Sequence, residues 1–162
     1  MFTISGAVCI DAPAARVWRV LSELESIHVW VDSIRHSYCV GDHTRGVDAV
    51  RVCELGGNLE VKETVVEWVE GSRFTYRGEG APLMKRATNR WAVEARGTQT
   101  LVTSTAVVEL KGGFLMKPLE PLFALLAKRL GAMSLGSLKY LCENGRPFEG
   151  NARKLLPVPS TC

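Results

Sequence analysis

"FLMKPLEPLFALLAKRLGAMSLGSLKYLCENG", residues 114–145, is long and apolar, and whether it spans a membrane, lines a site or simply packs decides the fold. A spanning helix needs about 20 consecutive, predominantly apolar residues, whereas Lys117, Glu120, Lys128, Arg129 and Lys139 interrupt this stretch at intervals. It reads instead as an amphipathic helix. Turned at about 100° per residue, it gathers Leu119, Phe123, Leu126, Leu130 and Leu141 on one side, flanked by Leu122 and Met133, with Lys128 and Lys139 opposite. Pro118 and Pro121 suit a first turn, where the missing N–H is not needed, and Asn144-Gly145 suits a C-terminal cap. The spacing predicts a helix from about Leu119 to Glu143 whose apolar stripe lies on the body of the protein. Gly131, Gly136 and Ser137 interrupt that stripe with small residues.

The remainder of the chain supplies that body. At 162 residues with 46% apolar content it is one domain with enough material for a sizeable core. A formal charge of +3, with Lys and Arg scattered among the acids, gives no basic stripe for nucleic acid. The opening "MFTISGAVCIDAP" has no basic region followed by a long apolar run, so no secretory signal or anchor is expected and the cytoplasm is the default location. The five cysteines Cys9, Cys39, Cys53, Cys142 and Cys162 are odd in number, widely spaced and without a C-x-x-C pair; they read as reduced, small apolar residues, with no metal site.

Residues Thr3 to Ile10 read as a strand. "DAPAARVWRVLSEL" starts a helix with Asp11 as N-cap and Pro13 in the first turn, and "ESIHVWVDSI" gives a second short helix from Glu25 to about Ile34. From there to Leu110 the period changes. "RHSYCVG", "VDAVRVCEL", "NLEVKETVVEWVEG", "RFTYRGEG", "ATNRWAVEA" and "TLVTSTAVVEL" are rich in Val, Thr and aromatics and are mostly separated by Gly-containing turns, which implies six strands in an antiparallel meander. The class is α+β: a seven-stranded antiparallel curved sheet, two short helices, and one long C-terminal helix covering the concave face. Residues 1–145 form the domain, and 146–162 a Pro-containing tail that is either an extended strap or disordered. The helix either packs tightly on the sheet or leaves a cavity; Gly131, Gly136 and Ser137 fit a gap, and equally a close approach.

This element order, with "CIDAPAARVWRVLSELESIHVWVDSI", "VKETVVEWVEGSRFTYR" and the long terminal helix, resembles the START-like or helix-grip superfamily. Within it the chain looks most like the bacterial polyketide cyclase/dehydrase-type proteins, and more distantly the plant abscisic-acid receptors and pollen allergens. The resemblance implies a hydrophobic cavity between sheet and helix and no particular chemistry, because the superfamily hosts carriers, receptors and enzymes alike.

Strand parity nominates the lining. Ala87, Asn89, Trp91 and Val93 form the more apolar face of one strand, and Val102, Ser104, Ala106, Val108 and Leu110 that of the next. Arg51 and Glu63 sit on strands whose two faces are equally mixed. In the related receptors, the position matching Glu63 carries an inward carboxylate and that matching His28 a cationic ligand contact. The candidate ligand-binding set is therefore His28, Arg51 and Glu63, the neutral groups Asn89, Ser104 and Ser137, and apolar walls from Trp30, Trp91, Tyr38, Phe123, Leu126, Leu130 and Met133. Each has a plainer alternative: a Glu63–Arg51 ion pair, a surface His28, a Ser137 bonded back to the Met133 carbonyl, and core Trp30 and Trp91.

Two functions follow from these residues. The first is binding of a hydrophobic small molecule. It fits the absence of a G-x-S-x-G, an H-E-x-x-H or a Gly-rich phosphate loop, and it requires no cofactor. The second is a polyketide cyclase, aromatase or dehydratase working with acid–base groups in the same cavity, with Glu63, His28 and Arg51 as candidates. A third class, an interaction module, would use the sheet edge or the tail, where Arg146, Arg153 and Lys154 are fewer cations than stable membrane anchoring takes.

Overall fold

A computed structural model describes all residues from Met1 to Cys162. Seven strands, β1 (Phe2–Ile10), β2 (Ile34–Val40), β3 (Val50–Leu55), β4 (Leu59–Val69), β5 (Arg73–Glu79), β6 (Met84–Arg96) and β7 (Gln99–Leu110), form one curved antiparallel sheet in the order β1-β7-β6-β5-β4-β3-β2. Only β1 breaks sequence order, pairing with β7 from Phe2 opposite Val108 to Ile10 opposite Thr100. The helices α1 (Ala14–Ser22) and α2 (Glu120–Asn144) complete the fold, with a 3-10 turn at Leu24–Val29 and another at Gly113–Leu119 leading into α2. No helix is long and apolar enough to cross a membrane.

The helix ends follow their sequence. Pro121 occupies the first turn of α2, and Gly145 closes it in the left-handed conformation that glycine adopts without a Cβ penalty, its N–H donating to the Leu141 carbonyl at 2.9 Å. α1 starts two residues later than expected. Pro13 is its N-cap, and Asp11, expected in that role, instead donates its backbone N–H to Glu143 Oε1 at 2.6 Å. The second short helix is also shorter than expected, a 3-10 turn of six residues, and Ile34 already belongs to β2.

The core occupies one end of the molecule. Val8, Ile10, Val17, Trp18, Leu21, Phe74 and Val102 pack with Leu135, Leu138 and Cys142. All buried residues of α2 lie in its second half, from Leu135 onward. There the helix sits so close to β1 that a Cβ on Gly6 would come within 2.8 Å of Leu135 Cδ1. The first half of α2 has no such seat, and the stripe expected to pack is turned outward: Leu122, Leu126 and Leu130 are 63%, 54% and 46% exposed. The inner face of that half carries Ala127, Gly131 and Ala132 instead.

One further expectation is corrected, and the tail takes one of its two expected forms. Cys9 and Cys162 form a disulfide, leaving Cys39, Cys53 and Cys142 as free thiols. The tail that carries Cys162 is accordingly ordered as a strap. Cys9 N–H donates to the Pro159 carbonyl at 2.7 Å, and Leu155 and Val158 lie on Gly136, where a Cβ would come within 3.1–3.2 Å of them. Gly136 is thus small for close approach, whereas a Cβ on Gly131 would meet nothing within 4 Å.

Candidate functional site

Between the concave face and the first half of α2 lies a cavity of about 240 Å³. That is somewhat smaller than the roughly 300–1,000 Å³ of a typical small-molecule site, but of the same character, apolar walls with a few convergent polar groups. Ile4 of β1, Ile27, Val31 and Ile34 near the 3-10 turn, Trp91 of β6, Ala127, Gly131 and Leu135 of α2, and Val158 of the strap supply apolar wall. The small residues of α2 are what leave the room.

The polar groups come from four neighbouring strands. Ser104 Oγ on β7 donates to Asn89 Oδ1 at 3.0 Å, and Asn89 Nδ2 on β6 donates to the Tyr76 hydroxyl at 3.1 Å. An amide on the apolar side of a strand needs partners at both ends, and this chain supplies them. Tyr76 on β5 keeps its own proton to offer. Burial, the Glu63 charge adding to it, pushes the phenol above its ordinary range, so it stays neutral and a donor throughout the physiological range.

Beyond Tyr76, the pairing of β3 with β4 sets Arg51 directly opposite Glu63. Arg51 is 3% exposed; its Nε donates to Glu63 Oε2 at 2.7 Å, its Nη2 to the same oxygen, and its Nη1 to the Leu24 carbonyl at 3.1 Å. The guanidinium also lies over the Tyr76 ring, 5.3 Å from its centroid. Burial alone would lower the Arg51 pKa, but the Glu63 carboxylate outweighs it with help from Tyr76 and Cys53, and the net shift is upward. Cys53 Sγ adds a third contact to Glu63 Oε2, at 3.5 Å, and its thiol is pushed up to about 12 by burial first and Glu63 second. Glu63 borders the cavity, and its Oε1 has no protein partner.

The structure thus brings Glu63, Asn89, Trp91 and Ser104 together on the cavity, with Arg51 behind Glu63. It separates the rest. His28 lies off the cavity, its Nδ1 2.8 Å from Ser37 Oγ and 3.0 Å from the Glu25 carbonyl, because the 3-10 turn directs it toward β2. Tyr38 packs beside His36, ring centroids 5.8 Å apart, rather than in the wall. Trp30 stands edge-on behind Trp91, centroids 5.7 Å apart, and its Nε1 has no protein partner. With Leu130, Met133 and Ser137 it borders a separate void of about 30 Å³. Phe123 is half-buried and Leu126 exposed, and neither reaches the cavity. The back-bond expected at Ser137 is made one turn earlier, by Ser134 to the Leu130 carbonyl at 3.1 Å.

Tyr76 was not among the residues nominated. Its signal lies in "RFTYRGEG", where Phe74, Tyr76 and Gly78 alternate with Arg73, Thr75 and Arg77, a clean period of two. No cluster of three or more His, Cys, Asp or Glu side chains is placed to hold a metal ion.

A family described as polyketide cyclase / dehydrase and lipid transport matches residues 1–143. The chain belongs to that family. Solved structures agree on the fold. A protein from Thermobifida fusca is 23% identical with a TM-score of 0.69, the match covering 93% of this chain and 100% of that one. A START superfamily protein from Mycobacterium smegmatis is 18% identical with a TM-score of 0.60, over 80% of this chain and 94% of that one. The di-domain ARO/CYC BexL from the BE-7585A biosynthetic pathway is 16% identical with a TM-score of 0.68, over 86% of this chain and 46% of that one. No curated protein sequence matches. The family match makes the chain polyketide cyclase-type, and these likenesses give it the START-like, helix-grip fold.

Proposed function

We propose that this family member binds a compact, largely apolar small molecule, one or two rings in size, in the cavity under α2. One observation carries the reading: an apolar cavity whose polar side is a satisfied chain, Ser104 to Asn89 to Tyr76, ending in a free hydroxyl proton. Beside it Glu63 Oε1 is a free acceptor. A ligand hydroxyl or carbonyl would accept from Tyr76, and a ligand hydroxyl could also donate to Glu63. Burial of the rings supplies affinity while these two groups fix orientation. Residues 1–145 hold the site and the strap closes its rim at Val158. No nucleic acid partner enters this reading. A cytoplasmic location is part of it, and there the Cys9–Cys162 bond follows the redox state of the compartment.

The Glu63–Tyr76 pair also supports a second reading, cyclase, aromatase or dehydratase chemistry of the kind the family's description covers. A carboxylate oxygen and a phenol facing one substrate can remove and return a proton while the cavity folds the chain. Native mass spectrometry of the purified protein, followed by organic extraction, tests the first reading. A stoichiometric compact apolar compound is the expected result, and a bound polar or phosphorylated compound would overturn it. Incubating the extracted compound class with the protein and analysing products separates carrier from enzyme.

A further inference from the structure

The stripe on the first half of α2 leaves a large apolar surface uncovered. Phe114 and Leu115 of the 3-10 turn are 76% and 69% exposed, and Leu122, Leu125, Leu126 and Leu130 continue the surface along the helix. Isolated exposed leucines are ordinary, but a contiguous patch of this extent on one face marks an interaction site. At the same end of the molecule, Leu83 is 51% exposed at the tip of the β5–β6 turn, held at φ 60 with its carbonyl accepting from Lys111 N–H at 2.8 Å. A leucine in the left-handed region is unfavourable, and it is unusual to place one in water.

The charges around the patch indicate what covers it. Lys111, Lys117, Lys128 and Arg129 are all exposed and take part in no ion pair, while the one acid of the segment, Glu120, is bonded to the Met1 amine. Three of these unopposed cations, Lys111, Lys117 and Arg129, flank the leucines, while Lys128 lies across the helix on the cavity side. A second copy meeting this face about a two-fold axis would set the same cations against each other. An anionic lipid surface complements both features, since an interfacial helix buries its apolar face at the headgroup boundary and anionic headgroups attract the flanking Lys and Arg.

We infer that the first half of α2, with the preceding 3-10 turn and the Leu83 tip, docks on an anionic membrane surface. The helix lies in the interface and does not span it. Ala127, Lys128 and Gly131 line the cavity from the inner side of the same turns, so docking brings the bilayer within about one helix diameter, roughly 10 Å, of the cavity. A peripheral route for an apolar ligand between bilayer and cavity follows, but the docking stands whatever the cavity binds.

Vesicle flotation without added ligand tests it, using phosphatidylcholine alone and mixed with phosphatidylglycerol. The protein should float with the mixed vesicles at low salt, and lose flotation at high salt or on phosphatidylcholine alone. Lys117→Glu with Arg129→Glu, which removes no apolar contact, should lower partitioning by about tenfold or more, and Leu122→Asp with Leu126→Asp should abolish it. Arg153→Glu with Lys154→Glu in the strap should leave it unchanged. The inference is overturned by absence of flotation on the mixed vesicles, by flotation that survives both pairs of α2 changes, or by a dimer in sedimentation velocity that Leu122→Asp with Leu126→Asp dissolves.

Discussion

Arg51 and Glu63 face each other across the β3–β4 pair, and every hydrogen bond that Glu63 receives ends on one carboxylate oxygen, Oε2. One half of the carboxylate is therefore structural and the other half is open to a ligand. Truncating Glu63 to alanine would strand a buried guanidinium, at a cost of about 3–5 kcal/mol. We expect Glu63→Ala to unfold at a markedly lower denaturant concentration than wild type. Asn89→Ala lowers stability less but weakens ligand binding, because it releases the Tyr76 hydroxyl. Chemical denaturation beside calorimetric titration checks the contrast, and equal stability losses in the two variants would contradict it.

The seat of α2 depends on Gly6. A Cβ there meets Leu135 Cδ1 at 2.8 Å, so Gly6→Val must displace the Leu135 side chain, which is buried among the core and has little room to turn. Overpacking of this kind costs about 1–3 kcal/mol. The drop should appear as a lower Tm, and Gly6→Val combined with Leu135→Ala should recover part of it. A double variant less stable than the sum of its singles would argue against the contact.

The strap is held by Cys9–Cys162 at one end and by the fit of Leu155 and Val158 on Gly136. A cross-link closing a loop of more than 100 residues contributes roughly 2–5 kcal/mol. Cys162→Ser should lower Tm and speed ligand exchange, and reductant should do the same to wild type but nothing further to the variant. Gly136→Val should displace the strap without touching the disulfide. Proteolysis after residue 145 is the readout, with faster cleavage expected in both variants.

Burial pushes the thiols of Cys53 and Cys142 up to about 12. In the unfolded chain they ionise near their ordinary value of about 8.5. The folded state therefore binds more protons than the unfolded state between those values, and stability falls as pH rises from about 9 toward 12. Cys39 is shifted upward as well, by burial first and Glu25 second. Iodoacetamide at pH 8 should leave Cys53 and Cys142 unlabelled until denaturant is added. Rapid labelling of either in the native protein would contradict the burial.

The strands were legible because their faces alternate: Asn89, Trp91 and Ser104 lie where parity places them. α2 was legible as an element but misleading as a surface. Leu122, Leu126 and Leu130 form the greasiest stripe, and periodicity assigns such a stripe to the interior, yet the interior face is the one built from Ala127, Gly131 and Ala132. A cavity needs small residues on its lid, and so the usual moment argument points the wrong way here. In β4 the bulge between Val65 and Glu67 reverses parity, turning Trp68 onto Phe74 and Glu67 outward to Arg73 and Thr75, which no count of two along the strand can show. The Cys9–Cys162 pairing joins residues 153 apart, a distance over which cysteine spacing carries no information.

The central claim is that the space beside Gly131 is a ligand site, and thermal shift of wild type against Gly131→Leu, across a panel of mono- and bicyclic hydroxylated compounds, tests it most directly. The substitution replaces a helix-interior glycine, so the apo variant should be as stable as wild type or more so, by up to about 1 kcal/mol. A ligand that binds only the folded state must raise its stability. The account predicts that at least one compound raises the wild-type Tm and leaves Gly131→Leu unmoved. A wild type indifferent to the whole panel, or a Gly131→Leu variant that responds as wild type does, would contradict it.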